Sequence, residues 1–370
     1  MPPIQIRRGR AAPGRGWTAL ALAGVLLAGP AGIVHAGSEE RKATSGATEL
    51  LIPFGPRGTA LGSTIVGDVG GLEALYWNPA GLAAIEGTEA MFTHTRYFAG
   101  MQLNDAAVAA RWGKAGTIAF NAKVLSVGEL IETTEDAPEG TGQTFNPTFA
   151  VLGLSYARQF TDRVLFGGTF NYINERILGT AAQGVALDLG VQYDAGWRGL
   201  RFGMVMKNFG PSMEYRGPNF ELSLHRPDQE PSADSRTFTT SSSAFDLPSY
   251  FVLGASWNLY AYGPNRLAMK SAFQNNNFVG DNVWGGMEWA YRDAFALRGS
   301  WYGTFENRTD PTTGAETGGF GAGDDLYSGV AFGAGMKVRA GDSKFGVDLA
   351  WRPVQNGFDD VVEFGLRVMF

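Results

Sequence analysis

The stretch VVEFGLRVMF, residues 361–370, alternates a large apolar side chain with a small or charged one. In an extended strand neighbouring side chains point to opposite faces. Val362, Phe364, Leu366, Val368 and Phe370 therefore share one face, and Val361, Glu363, Gly365, Arg367 and Met369 the other. A soluble sheet also alternates, so this strand alone does not separate a sandwich edge from a membrane wall.

The same chemistry recurs upstream. Val185, Leu187, Leu189 and Val191 oppose Ala186, Asp188 and Gly190. Phe345, Val347, Leu349 and Trp351 oppose Lys344, Gly346, Asp348, Ala350 and Arg352. Val330, Phe332, Ala334, Met336 and Val338 oppose Ala331, Gly333, Gly335 and Lys337. Glycine and alanine have no reason to crowd a solvated outer face. Inside a closed cylinder they make room, while lipid takes the oily side.

From residue 88 onward fourteen segments show this two-residue period, and their connections alternate in length. The long ones fall near 99–103, 129–146, 178–182, 211–248, 277–281, 306–325 and 355–360. The short ones are 113–115, 161–162, 196–199, 263–265, 292–293 and 341–343. Spanning barrels pair short periplasmic turns with longer external loops, and a sandwich needs no such alternation. The sequence thus predicts an all-β, 14-stranded antiparallel transmembrane β-barrel in the bacterial outer membrane. Trp112, Trp197, Tyr260 and Tyr291 cluster near the short turns, as an interfacial belt would. An even strand count returns the last strand to the periplasmic rim, where it closes the cylinder. Phe364, Leu366, Val368 and Phe370 then resemble the signal read by outer-membrane assembly machinery.

The N-terminal residues set the compartment. Arg7, Arg8, Arg10 and Arg15 precede an apolar run over 17–29, followed by Val34-His35-Ala36. This pattern predicts a secretory signal over 1–36, cleaved after Ala36, because the run is too short to span a bilayer. The chain carries a formal charge of −6, and loss of four signal arginines makes the remainder more acidic, which disfavours nucleic acid as a partner. There is no Cys, and only His94 and His225 remain beyond the signal, so cysteine catalysis and Cys- or His-rich zinc sites are excluded. Gly is frequent at 52 residues and charged residues are only 18%, which suits crowded curved sheets.

Residues 37–87 do not alternate, and are assigned to an N-terminal plug, with 88–370 as barrel. Within them stands LLIPFGPRGTALGSTIVGDVGGLEALYWNPAGLAAI, residues 50–85. Pro53, Gly55, Arg57, Ala60, Leu61, Gly62 and the run Ala74-Leu75-Tyr76-Trp77-Asn78-Pro79-Ala80-Gly81-Leu82 resemble the N-terminal signature of the PorV/PorQ family, which belongs with the FadL-type outer-membrane transporters. The resemblance implies a fourteen-stranded barrel with its N-terminal segment folded into the lumen. Asn before Pro favours an extended residue, Pro fixes φ, and Gly81 is read as a tight reversal into the first strand. The paired acids expected after Ala-Leu-Gly are replaced by Asp68 followed by Val69-Gly70-Gly71.

By parity Arg111, Asp188, Lys207, Lys270, Glu288, Arg298, Lys337, Asp348, Arg352, Glu363 and Arg367 point into the lumen. Their mixed signs fit pairing with one another and with the plug better than a one-sign ion filter. No catalytic constellation emerges: Ser241-Ser242-Ser243 lacks an adjacent base, and the glycines of 318–323 lack the Lys-Ser/Thr of a phosphate loop. Glu129, Glu132, Glu135, Asp136, Glu139, Asp324 and Asp325 read as solvated loop acids or contacts with cation-bridged lipopolysaccharide rather than a calcium shell. No cofactor is implied.

Two functions follow from the resemblance and the strand count. One is a plugged conduit for hydrophobic small molecules, with Met213, Tyr215, Phe220, Leu222 and Leu224 of the longest loop placed to catch an apolar ligand. The alternative is an accessory barrel that partners subunits of a type IX-like secretion system. The remaining partners expected are outer-membrane lipid and lipopolysaccharide.

Overall fold

A computed structural model describes residues 44–224, 236–309, 316–321, 326–355 and 357–370. The signal over 1–36, His225, Asp324 and Asp325 lie outside the described residues.

Fourteen antiparallel strands form the wall: β1 (Thr88–Arg96), β2 (Gln102–Arg111), β3 (Thr117–Ser126), β4 (Thr148–Thr161), β5 (Val164–Ile177), β6 (Thr180–Asp194), β7 (Arg201–Phe209), β8 (Tyr250–Tyr262), β9 (Asn265–Asn276), β10 (Asp281–Tyr291), β11 (Phe295–Thr309), β12 (Val330–Ala340), β13 (Ser343–Arg352) and β14 (Val361–Met369). Each pairs with its neighbour in sequence. β14 then pairs with β1, from Glu89↔Met369 to Arg96↔Val362, so no edge is left open. The last residue completes the seam: Phe370 N–H donates to Thr88 O at 2.9 Å.

Side-chain burial follows the two-residue period. On β6, Leu187, Leu189 and Tyr193 are exposed, while Ala186, Asp188, Gly190 and Gln192 are buried. On β14, Phe364 and Leu366 face out, and Glu363, Gly365 and Arg367 face in. The outward set around the whole cylinder is overwhelmingly Leu, Phe, Met, Val, Tyr and Trp. Water would penalise such a continuous apolar belt, whereas hydrocarbon covers it at no cost. Trp112, Trp197 and Tyr260 stand exposed at the short-turn end of that belt, with Tyr291 half-buried beside them.

The connections differ from expectation in one respect. The third external connection is not a loop: Leu178 and Gly179, with φ of 37° and 75°, join β5 to β6 as a tight two-residue hairpin. Both residues at positive φ match the twist of the flanking strands, so these long strands can turn without a loop. β4, β5 and β6, at 14, 14 and 15 residues, stand taller than the nine-residue β1 and β14 on that side.

The N-terminal segment lies inside the lumen as a series of short helical turns, Pro56–Leu61, Gly62–Gly67, Ala74–Trp77 and Pro79–Ala84. Its Leu61, Ile65, Leu72, Leu75, Trp77, Leu82 and Ile85 form one buried cluster against the inner-wall alanines and Met91. Helices this short have little intrinsic stability, so their conformation depends on the wall that encloses them. Asn78 is extended, as its place before Pro79 requires, and its side chain caps the next turn by accepting from Ala80 N–H at 3.2 Å. Gly81 corrects the sequence reading: it is not a left-handed reversal but a close approach. A Cβ there would lie 2.1 Å from Val69 O.

Candidate functional site

Buried charges line the lumen from the short turns to the long connections, and beside the long connections they adjoin an apolar cluster. Toward the short turns the plug cation Arg57 grips Glu288 of β10 with a two-pronged pair, Nε–Oε1 at 2.9 Å and Nη2–Oε2 at 2.8 Å. Arg298 of β11 donates to the same Glu288 Oε1 at 2.9 Å and to Asp348 of β13 at 2.5 Å. Lys270 of β9 pairs with Asp68 of the plug and lies 3.4 Å from Glu288. Asp68, single where the sequence resemblance leads us to expect paired acids, thus still meets a wall cation.

The seam strand carries the second set of plug contacts. Glu363 is fully buried, and its two carboxylate oxygens accept from Gly55 N–H at 2.6 Å and from Thr59 Oγ1 at 2.5 Å. Arg367 lies 3.1 Å from Glu73, and Glu89 of β1 accepts from Leu72 N–H at 3.1 Å. Burial, opposed by Arg367 and Arg57, raises the Glu73 carboxyl above its ordinary range. Arg111 of β2 donates to Ala83 O and Ile85 O, closing off the last turn of the plug.

Two lysines hold the plug at mid-lumen. Lys207 of β7 donates to Tyr76 O at 2.8 Å and to Asp188 of β6 at 2.7 Å. Lys123 of β3 donates to Glu49 O at 2.8 Å and Ile52 O at 3.0 Å. The Tyr76 ring receives both ammonium groups, at 4.8 Å and 5.4 Å from its centroid. The charged lumen is therefore a lock on the plug rather than an open filter.

Two of the residues assigned inward by parity stand apart from this lock. Lys337 is exposed, lining a polar vestibule of about 300 Å³ shared with Arg57, Asp68, Glu288, Arg298 and Asp348. Arg352 sits at the outer mouth, its guanidinium 3.8 Å from the centroid of the Tyr327 ring, because β13 ends there and the side chain has left the lumen network. Conversely, Glu49, Glu73, Glu89, Asp105, Lys123 and Glu175 are buried lumen charges absent from the parity assignment. Parity could have found Lys123 and Asp105, which face each other across β2 and β3.

Toward the long connections, Leu50 of the N-terminal segment packs with Val151, Ile173, Ala182 and Ala186 of the tall strands and with Met213 and Leu247 of the 210–249 connection. The two described ends of that connection are tied down over the cluster. Met213 and Phe245 exchange backbone hydrogen bonds at 2.8 Å, Gly46 N–H donates to Asp246 O at 3.1 Å, and Tyr215 packs on Phe245. Met213 and Leu247 are buried as a result, while Phe220 is half-buried. Nothing is described of the side chains of Leu222 and Leu224. Glu49 neighbours Leu50 of this cluster, and its carboxyl is pushed up to about 8, first by burial and then by the Glu175 carboxylate.

The sign of that shift sets a pH dependence. An acid whose pKa is higher when seated holds its proton better seated than free. Its stabilising contribution is therefore full below about 4.5 and lost as pH rises through about 8. Raising the pH from about 5 to about 9 is expected to loosen the segment around Glu49 and increase its cleavage by added protease, and Glu49→Gln should flatten that response. An unchanged cleavage profile in the parent protein would contradict the assignment.

His94 hydrogen-bonds Asn104 across β1 and β2 at 2.9 Å, and Ser242 donates to Ser243 O, so neither is arranged as a nucleophile–base pair. Among the described residues no cluster of three His, Asp or Glu could hold a metal ion.

No family model and no curated protein matches the chain. Solved structures do. A monoaromatic hydrocarbon channel, CymD, has a TM-score of 0.53 at 11% identity, with 86% of this chain and 98% of that one covered. The Pseudomonas putida toluene transporter TodX has a TM-score of 0.51 at 12% identity, covering 85% and 97%. At such identities the likeness is one of fold, and it joins the closed wall and apolar belt in placing the barrel in the bacterial outer membrane.

Proposed function

We propose that the protein is a plugged, non-enzymatic outer-membrane channel for hydrophobic small molecules. One observation carries this reading: toward the long connections Leu50 of the N-terminal segment packs with Val151, Ile173, Met213 and Leu247 into one buried apolar cluster between the plug and the outer mouth. The two solved structures with the same fold are described as a monoaromatic hydrocarbon channel and a toluene transporter, which supports the same cargo class.

A small cavity beside this cluster is lined by Leu50, Phe54, Leu75, Tyr76 and Val151 together with the polar Asn121, Lys123, Asn171, Asp188, Lys207 and Asn208. Cargo entering there would displace Met213 and Leu247 first. Titration of the purified barrel with toluene and with a fluorescent fatty acid is expected to saturate. Met213→Gln with Leu247→Gln should weaken it about tenfold or more, the cost of placing unpaired amides in an apolar site. Absence of saturable binding by the parent protein would sink the reading.

The finer PorV/PorQ likeness rests on the signature over 50–85 together with the barrel layout. The secretion-accessory function that accompanies it finds no support in the wall, the lumen or the solved structures of similar fold. Copurification with secretion-system subunits, in a barrel that binds no apolar probe, would reverse that preference.

A further inference from the structure

The two ends of the barrel carry opposite charge. The external connection 127–147 holds Glu129, Glu132, Glu135, Asp136 and Glu139 with no Lys or Arg, and 353–360 adds Asp359 and Asp360. At the opposite end each tight turn carries or adjoins a cation. Arg201 and Arg266 are neutralised there by Asp194 and Asp293. Lys114, Arg158, Arg198, Arg292, Arg339 and Lys344 are exposed and form no ion pair among the described residues.

Two of these cations stand against belt aromatics. The Arg198 guanidinium lies 5.6 Å from the centroid of Trp197, itself stacked on Trp257, and that of Arg292 lies 5.4 Å from the centroid of Tyr291. Aromatic rings of this kind settle at the headgroup level of a bilayer. The apolar belt fixes the depth of the barrel, so the cations next to those rings are held in the phosphate layer rather than free in the periplasm. Arg158 is on the outward face of β4, in line with Leu152, Leu154 and Tyr156, and so points at lipid.

We propose that this rim is a ring of binding sites for the phosphate groups of anionic phospholipids in the periplasmic leaflet. The proposal rests on the outer-membrane placement but not on the cargo. Each unpaired cation near a lipid surface favours an anionic headgroup about fivefold. The acidic external connections would be repelled by the same lipids, so the charge division also opposes the inverted orientation.

The test uses the purified protein in phosphatidylethanolamine vesicles containing a minority of brominated phosphatidylglycerol or, in parallel, brominated phosphatidylcholine. Quenching of tryptophan fluorescence reports which lipid is enriched at the wall. The parent protein is expected to favour phosphatidylglycerol by about fivefold, with the preference falling in high salt. K114Q/R198Q/R292Q/K344Q, four exposed changes in tight turns and at the foot of β13, should bring the ratio close to one. E132Q/E135Q/D136N at the other end should leave it unchanged. Equal quenching in the parent protein, or a preference that survives the fourfold variant, would overturn the proposal. A rim that instead serves a periplasmic protein would show equal quenching. Apolar-probe binding in the fourfold variant separates a failure of this inference from a failure of the channel reading.

Discussion

Glu288→Ala is expected to unseat the plug while leaving the wall closed. Among the described residues Glu288 is the one carboxylate shared by Arg57 of the plug and by Arg298 and Lys270 of the wall. Its removal leaves three cations in a confined lumen, with Asp68 and Asp348 as the nearest remaining counter-charges. Stranding a buried charge by deleting its partner typically costs about 3–5 kcal/mol. Water in the adjoining vestibule screens part of this, so the lower end applies, roughly a hundredfold in the seating equilibrium. The wall depends on its own backbone ladders and outer belt and should survive. The expected result is a folded barrel with raised single-channel conductance in planar bilayers and new protease cuts within 44–86. A variant that is folded, silent and protease-resistant would show that Glu288 does not hold the plug.

Gly203→Leu is expected to expel the plug by a different force. Three adjacent strands present a glycine where the plug touches the wall. A Cβ on Gly167 would lie 2.4 Å from Pro79 O, on Gly190 2.0 Å from Asn78 Oδ1, and on Gly203 2.1 Å from Val66 O. The neighbour at Gly203 is main chain, bracketed by Asn78 and Gln192, which both donate to Val66 O. It cannot swing aside as a flexible side chain would. Overpacking commonly costs about 1–3 kcal/mol and more where backbone must move. The same substitution at Gly285, where a Cβ meets nothing within 4 Å, is the matched control and should be silent. Equal behaviour of the two variants would contradict a plug seated on wall glycines.

The wall was legible in the sequence because a barrel imposes the same two-residue period on every strand. Leu187 and Asp188 reveal their faces by polarity alone, and the tight turns announce themselves by Gly, Asp and Asn. Strands β2 and β3 were harder to resolve. On β2 both faces carry alanine, so Asp105 had no clear apolar opposite, and its buried place only emerges when Lys123 is brought across from β3.

The plug resisted for a different reason. Its short turns have no period, and burial of Glu73 is set by Arg367, which lies almost three hundred residues away in sequence. Local pattern carries no information about such pairings. Gly81 shows the same limit: its composition signalled a turn, while its actual role is clearance from Val69, a contact made only after the segment folds. The 178–179 hairpin was misjudged in length because strand residues that rise beyond the bilayer still alternate.

Methionine labelling in native outer membranes tests the whole arrangement most directly. Met204, Met206, Met269, Met287 and Met336 are exposed on the outer wall, whereas Met91 and Met213 are buried within the lumen. A carbene reagent dissolved in the lipid should modify the first group and spare the second, and water-borne hydroxyl radicals should reach Met91 and Met213 only after the plug is unseated. Lipid labelling of Met91, or aqueous modification of the outer-wall group in the intact protein, would contradict a plugged barrel bathed in hydrocarbon.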